Sequence, residues 1–69
     1  MEDHTYKKIE IVGTSNKSSD DAVQNALNRA SKSVDHLRWF EVVETRGSIK
    51  DGTVERWQVT LKIGFTMND

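Results

Sequence analysis

From Trp57 to Phe65 the chain alternates without a break. Trp57, Val59, Leu61, Ile63 and Phe65 interleave with Gln58, Thr60, Lys62 and Gly64, the period-two pattern of a strand with one buried face. This predicts a strand over residues 53–65. A shorter alternation, with Ile9 and Ile11 on one face, predicts a first strand over residues 5–12. Between them the period changes. Ala22, Val23, Ala26, Leu27, Ala30 and Val34 fall on one stripe of a helix running from about Ser19 to Val34,. The stripe carries three alanines, so a flat surface approaches it closely, and a sheet is the natural candidate. The small polar run Gly13-Thr14-Ser15-Asn16-Lys17-Ser18-Ser19 reads as a loop leading to the helix start,. Ser18 or Ser19 can cap the helix, and Ser18 with Asp21 forms an aspartate version of the capping box. Asp20 and Asp21 suit the positive end of the helix dipole and Lys32 the other end.

Residues 37–49 predict a second strand, joined to the third by Lys50-Asp51-Gly52, where Asp-Gly between two strand-like runs signals a hairpin,. Its parity is ambiguous. Phe40 and Val42 make one apolar face; Leu37, Trp39, Val43 and Ile49 lie on the other. Either a bulge shifts the register or both faces are buried. The elements together predict one α+β domain over residues 1–69, a β-α-β-β unit whose three-stranded antiparallel sheet curls around one helix.

Lengths then bring in partners. A 16-residue helix spans about 24 Å, whereas a 13-residue strand spans roughly 43 Å. One helix cannot cover that hairpin, and unpaired sheet edges invite a neighbour, so a homo-oligomer is expected. Composition points the same way. A chain of 69 residues and 7.9 kDa hides only roughly 60% of its unfolded surface when it folds alone. Without cysteine it has no disulfide, thiolate metal site or thiol nucleophile. His4 and His36 are too far apart for a His-based zinc motif and read as surface or helix-end residues. With 10 Lys+Arg against 11 Asp+Glu, nucleic acid and anionic membrane are disfavoured as partners. No apolar run approaches a membrane span and the first residues lack a signal-peptide core, which makes a cytoplasmic protein the expectation.

Candidate chemistry follows from parity. If Phe40 and Val42 face the helix, Trp39 points to the other side of the sheet, and so does Gln58. An indole offers a flat stacking surface; a carboxamide offers one donor and one acceptor side. The pair suits a flat, hydrogen-bonding aromatic ligand. On pattern alone, Trp39 as an interface anchor is the commoner reading. Trp57, on the apolar face, reads as packing. Arg38 and Arg46 have the opposite parity to Trp39; they can reach a phosphate, though lone arginines are more often solvated or paired, here with Glu41, Glu44 or Glu55. Thr14 and Ser15 can catch a phosphate at the helix start, but the glycine spacing is not that of a P-loop, so capping is favoured. Glu41 and Glu44 would serve acid–base chemistry only if buried. No nucleophile–base–acid set is visible.

The chain resembles the dodecins, small flavin-binding proteins, on Tyr6-Lys7-Lys8-Ile9-Glu10-Ile11-Val12-Gly13-Thr14-Ser15, on Asp21-Ala22-Val23-Gln24-Asn25-Ala26-Leu27-Asn28-Arg29-Ala30, on Leu37-Arg38-Trp39-Phe40-Glu41-Val42-Val43-Glu44-Thr45-Arg46-Gly47, and on Trp57-Gln58-Val59-Thr60-Leu61-Lys62-Ile63-Gly64-Phe65. The match runs over nearly the whole chain. The resemblance implies a hollow homo-dodecamer in which flavins bind as stacked pairs between tryptophans of neighbouring subunits. It implies a cofactor-binding set of Trp39, Gln58, Arg46, Thr45, Glu44 and Arg38. Trp39 would stack, Gln58 would bond the ring edge, Arg46 would lie close to the flavin and Glu44 near subunit channels. FMN or riboflavin is the implied cofactor, and some members also hold coenzyme A. Thr66 departs from the pattern, since many bacterial members carry an arginine there, and this leaves FMN against riboflavin open. The expected function is non-enzymatic flavin storage and buffering. The alternatives are a flavin-dependent redox enzyme, or a purely structural assembly protein anchored by Trp39.

Overall fold

The computed structural model describes residues 3–67. Strand β1 spans Tyr6–Ser15, helix α1 Ser19–Ala30, strand β2 Leu37–Lys50 and strand β3 Thr53–Thr66. The strands form one antiparallel sheet in the order β1-β3-β2. The β-α-β-β arrangement is the predicted one. At the hairpin, Asp51 (φ 53°) and Gly52 (φ 78°) both take left-handed backbone, as a two-residue turn matched to strand twist requires.

Two boundaries differ from the sequence reading. Gly13, Thr14 and Ser15 are not loop: they extend β1 and pair with Val59, Gln58 and Trp57. Gly13 looked like punctuation, but its role is to let the helix approach. A Cβ at Gly13 would overlap the Ala22 carbonyl oxygen and lie 2.8 Å from the Ala26 Cβ. The buried alanine stripe Ala22, Ala26 and Ala30 is the helix side of the same contact. At its other end α1 stops at Ala30 rather than Val34. Lys32 N–H donates to Arg29 O (3.2 Å) and Ser33 N–H to Ala30 O (3.1 Å), so the last turn tightens to three-residue spacing. The Ser31 hydroxyl donates to Asn28 O at 2.9 Å, which satisfies another end carbonyl. Val34 still folds back, its N–H donating to Ala30 O at 2.9 Å.

The helix start is built as a network. Ser18 is the N-cap, its hydroxyl accepting from Asp21 N–H at 3.0 Å. The Asp21 carboxylate does not close the expected box onto Ser18. It accepts from the buried Ser15 hydroxyl at 2.7 Å, and Ser15 Oγ accepts from Lys17 N–H at 2.9 Å. The serine thought able to catch a phosphate is therefore spent on tying β1 to α1.

The core lies between α1 and the β1–β3 half of the sheet: Val59, Leu61 and Ile63 are buried against the alanines, with Ile9, Ile11, Val23, Leu27 and Leu37 packed around. Beyond it the sheet runs on uncovered. A shallow apolar cleft of about 200 Å³, lined by Leu27, Leu37, Phe40 and Ile63 among others, opens where α1 fails to reach β2. Phe40, Val42 and Val43 are about half exposed and Ile49 is 76% exposed. The Cα radius of gyration is 14.3 Å and the long dimension 55 Å, against roughly 11 Å for the radius of a compact chain of this length. The exposed surface is 5241 Å², where a folded monomer of this mass would show roughly 4400 Å². No helix among the described residues is long and apolar enough to cross a membrane.

The close approach at Gly13 gives a direct test of this packing. Ala26→Leu forces a branched side chain into the gap and is expected to cost about 1–3 kcal/mol, read as a lowered denaturation midpoint. A midpoint equal to that of the parent would contradict the contact.

Candidate ligand-binding site

The face of the sheet turned away from α1 carries the candidate residues. Gln58, Thr60, Lys62, Gly64 and Thr66 of β3 alternate with the buried Val59, Leu61 and Ile63 and so point outward. Cross-strand partners share a face, which brings Tyr6, Lys8 and Thr14 of β1 and Trp39, Glu41, Glu44 and Arg46 of β2 to the same side.

The β2 ambiguity resolves as a bulge. The register shifts between Val42 and Glu44, leaving Val43 as the extra residue. Before the shift Phe40 and Val42 oppose Ile63 and Leu61 on the helix side; after it Thr45 opposes Val59 there, and Arg46 opposes Gln58 on the outer side. Arg46 is thus on the face of Trp39, contrary to the simple parity count, because one inserted residue reverses every later side chain. Thr45 lies on the opposite face, and only its backbone adjoins Arg46. A second shift lies between Leu37 and Trp39. Arg38 stands in it, and its Nε donates to Thr66 Oγ1 at 3.0 Å.

Two clusters result. In the first, the Trp39 indole lies over Gly64, where a Cβ would overlap its six-membered ring. It reaches the Tyr6 ring on β1, edge to face, at 5.2 Å between centroids and 73° between planes. Trp39 stays 40% exposed: one side of the ring rests on backbone and the other is open. In the second cluster Arg46 Nε donates to Gln58 Oε1 at 2.8 Å. A guanidinium only donates, so this bond fixes the amide orientation and leaves Gln58 Nε2 to donate elsewhere. Thr14 flanks Gln58 from β1, and Glu44, opposite Thr60, lies between the clusters.

The clusters are not one pocket. Gln58 and Gly64 are six residues apart on β3, roughly 20 Å at about 3.3 Å per residue. One flat ring cannot stack on Trp39 and bond Gln58 of the same chain. Trp39 and Gln58 of one chain therefore stand at two places along one face.

Between them Lys8 pairs with Glu41, both about half exposed, with Lys62 opposite Glu41. The hydrogen bond from Lys8, then its charge, hold the Glu41 carboxyl below its ordinary value of 4.5; partial desolvation opposes this, and Lys62 adds a weaker pull in the same direction. The expected pairing of the arginines with acidic residues does not occur. Glu41 is taken by Lys8, Glu55 accepts from the Ser48 hydroxyl, and Lys8–Glu41 is the one ion pair among the described residues. Tyr6, Lys8 and Gly64 share this face but were not among the candidates, and Thr14 was considered only for a phosphate at the helix start. Tyr6 was legible, as an aromatic out of phase with Ile9 and Ile11; Gly64 was legible only once Trp39 was known to pair with it.

Fold and face together define a class: a small β-α-β-β protein with one outward aromatic shelf and one outward amide on the sheet face turned away from its helix. The comparisons sharpen this. The dodecin family model matches residues 5–68. The dodecin of Thermus thermophilus is 48% identical over 64 residues, 93% of each chain. The structure of dodecin from Streptomyces coelicolor superposes with a TM-score of 0.95 at 51% identity, covering 100% of this chain and 99% of that one. The calcium dodecin of Mycobacterium tuberculosis is 34% identical over 62 residues, 90% of this chain and 87% of that one. The chain belongs to the dodecin family.

The Lys8–Glu41 pair makes a signed prediction. The folded carboxyl has the lower pKa, so the contribution is present above the unfolded value and is lost as pH falls through the folded one. Acid titration of stability is expected to show a small loss below about pH 4.5, and Glu41→Gln to lower the neutral-pH midpoint by that same small amount and to lack the loss, as befits an exposed pair. An identical acid limb in the variant would contradict the assignment.

Proposed function

We propose that the protein is a non-enzymatic flavin-binding protein, a cytoplasmic store and buffer of free cofactor, assembled as a hollow homo-dodecamer. The observation that carries this reading is the Trp39 indole, laid flat on Gly64 with its outer side open, on the face away from the core. A flat heterocycle fits such a shelf. Gln58, with its carbonyl held by Arg46, supplies a directed N–H donor for a ring carbonyl. The roughly 20 Å between Trp39's seat and Gln58 supports a site shared between protomers, one lending the indole and another the amide. Indole against indole across a subunit boundary would hold stacked flavins in pairs.

Each remaining residue takes a role from its place. Arg38, its Nε occupied by Thr66, keeps its terminal nitrogens for an anion beside Trp39. It is the residue to bind a flavin phosphate in a chain that has threonine rather than arginine at position 66, and this favours FMN over riboflavin. The phosphates of coenzyme A suit the same rim. Glu44 and the backbone of Thr45 border the Gln58 end. A flavin bound in contact with an electron-rich indole is quenched when excited, which needs no catalytic residue. Two flavins stacked between indoles leave little room for a redox substrate.

A structural assembly protein is the second reading, supported by the half-exposed Phe40, Val42 and Val43. It predicts an oligomer indifferent to flavin. The Mycobacterium tuberculosis relative's name suggests a calcium site for that protein. No three His, Asp or Glu side chains converge among the described residues of one chain.

Titration of FMN with the ligand-free protein, followed by flavin fluorescence, tests the proposal. Strong quenching is expected. Trp39→Ala is expected to weaken binding by about 1–3 kcal/mol, the worth of one aromatic stacking face, with most of the quenching lost. Arg38→Ala is expected to weaken FMN several-fold and riboflavin little. Equal FMN affinity in Trp39→Ala would contradict the site, and no quenching by the parent would contradict the function. Turnover of a nicotinamide or oxygen substrate well above that of free FMN would favour an enzyme.

A further inference from the structure

We propose that Tyr6 is a positioning residue for the stacking indole, holding Trp39 in the one orientation that presents a flat shelf; this rests on the flavin reading above. Trp39 belongs to an outer strand of the sheet, β2, and Tyr6 to the other, β1, with β3 between them. The two rings meet because the central strand offers no side chain at Gly64. The indole leans across the gap, its six-membered ring where a Gly64 Cβ would be. Backbone supports it from below. Laterally, the group it meets is the Tyr6 ring, at 5.2 Å and 73°. Tyr6 pairs with Thr66, one step along the same face from the Lys8–Gly64 pair, so it stands at the far end of the indole as a stop.

The ring, not the hydroxyl, carries this. Tyr6 is 47% exposed and its contacts are aromatic. His4 packs behind it, edge to face, at 6.3 Å and 64°. The rings of His4, Tyr6 and Trp39 thus meet in a row, each edge to face with the next. An indole free to swing about its side-chain torsions samples other staggered wells, and a ligand then has to fix it at its own expense. With Tyr6 in place the shelf exists before the ligand arrives. Aromatic pairing over a strand glycine is a recognised way to restore packing that glycine lacks. Here the same device also sets the plane on which a ligand would lie.

The test uses the full-length assembled protein carrying Trp57→Phe, so that Trp39 is the sole indole. Two readouts are taken: time-resolved fluorescence anisotropy without ligand, and FMN affinity. Tyr6→Phe is expected to match its parent in both. Tyr6→Leu, which keeps apolar volume but no ring, is expected to show added sub-nanosecond indole motion and FMN binding weaker by about three- to tenfold. Tyr6→Met serves as a second ring-free variant if Tyr6→Leu does not assemble. Unchanged anisotropy in the ring-free variant would overturn the proposal, and so would FMN affinity within twofold of the parent. Trp39→Ala run alongside separates the two claims. If it binds FMN as the parent does, the flavin reading fails, while the anisotropy comparison still decides whether Tyr6 holds the indole.

Discussion

A helix of 12 residues covers about 18 Å, and the two long strands, of 14 residues each, run about 46 Å. That mismatch governs the molecule. It leaves apolar Phe40 and Val42 on the helix side of β2 without a cover, and it stretches the chain to 55 Å. A chain without cysteine has no disulfide to compensate, and no further element among the described residues folds over the gap. The natural cover is another copy, since a second protomer brings a matching unfilled face and matching unpaired strand edges.

The same length separates the two polar clusters. A shorter sheet would bring Trp39 and Gln58 together in one chain and make a monomeric pocket possible. On this sheet they are roughly 20 Å apart, so under the proposed function the copies that cover the core would also complete the site. The bulge at Val43 is the local device that makes it work. Without it, Arg46 would share a face with Phe40 and Val42, and Gln58 would lose the donor that fixes its amide. Bulges re-aim a side chain, and here the side chain is Arg46, turned onto Gln58.

Much of this was legible in the residues. The alternation of Trp57 to Phe65, the shorter one around Ile9 and Ile11, the alanine stripe and Asp51-Gly52 placed the four elements, and the length comparison anticipated the uncovered sheet. The shared face of Trp39 and Gln58 followed from parity and holds in the register. The failures have physical causes. Gly13 looked like a loop residue because strands seldom need glycine; it is there because Ala22 and Ala26 press against it. The face of Arg46 could not be counted, since a bulge breaks the period that counting relies on. The Tyr6–Trp39 contact depends on what the middle strand lacks, and an absent side chain at Gly64 leaves little trace in a hydrophobic pattern.

The central claim is that assembly and ligand binding are one property. Size-exclusion chromatography with light scattering and in-line flavin fluorescence, repeated across a denaturant series that dissociates the particle, tests it most directly. The account predicts that FMN travels quenched with a particle many times the 7.9 kDa protomer and is released, with fluorescence restored, as that particle breaks up. A folded 7.9 kDa species that holds FMN as tightly as the assembly would contradict it.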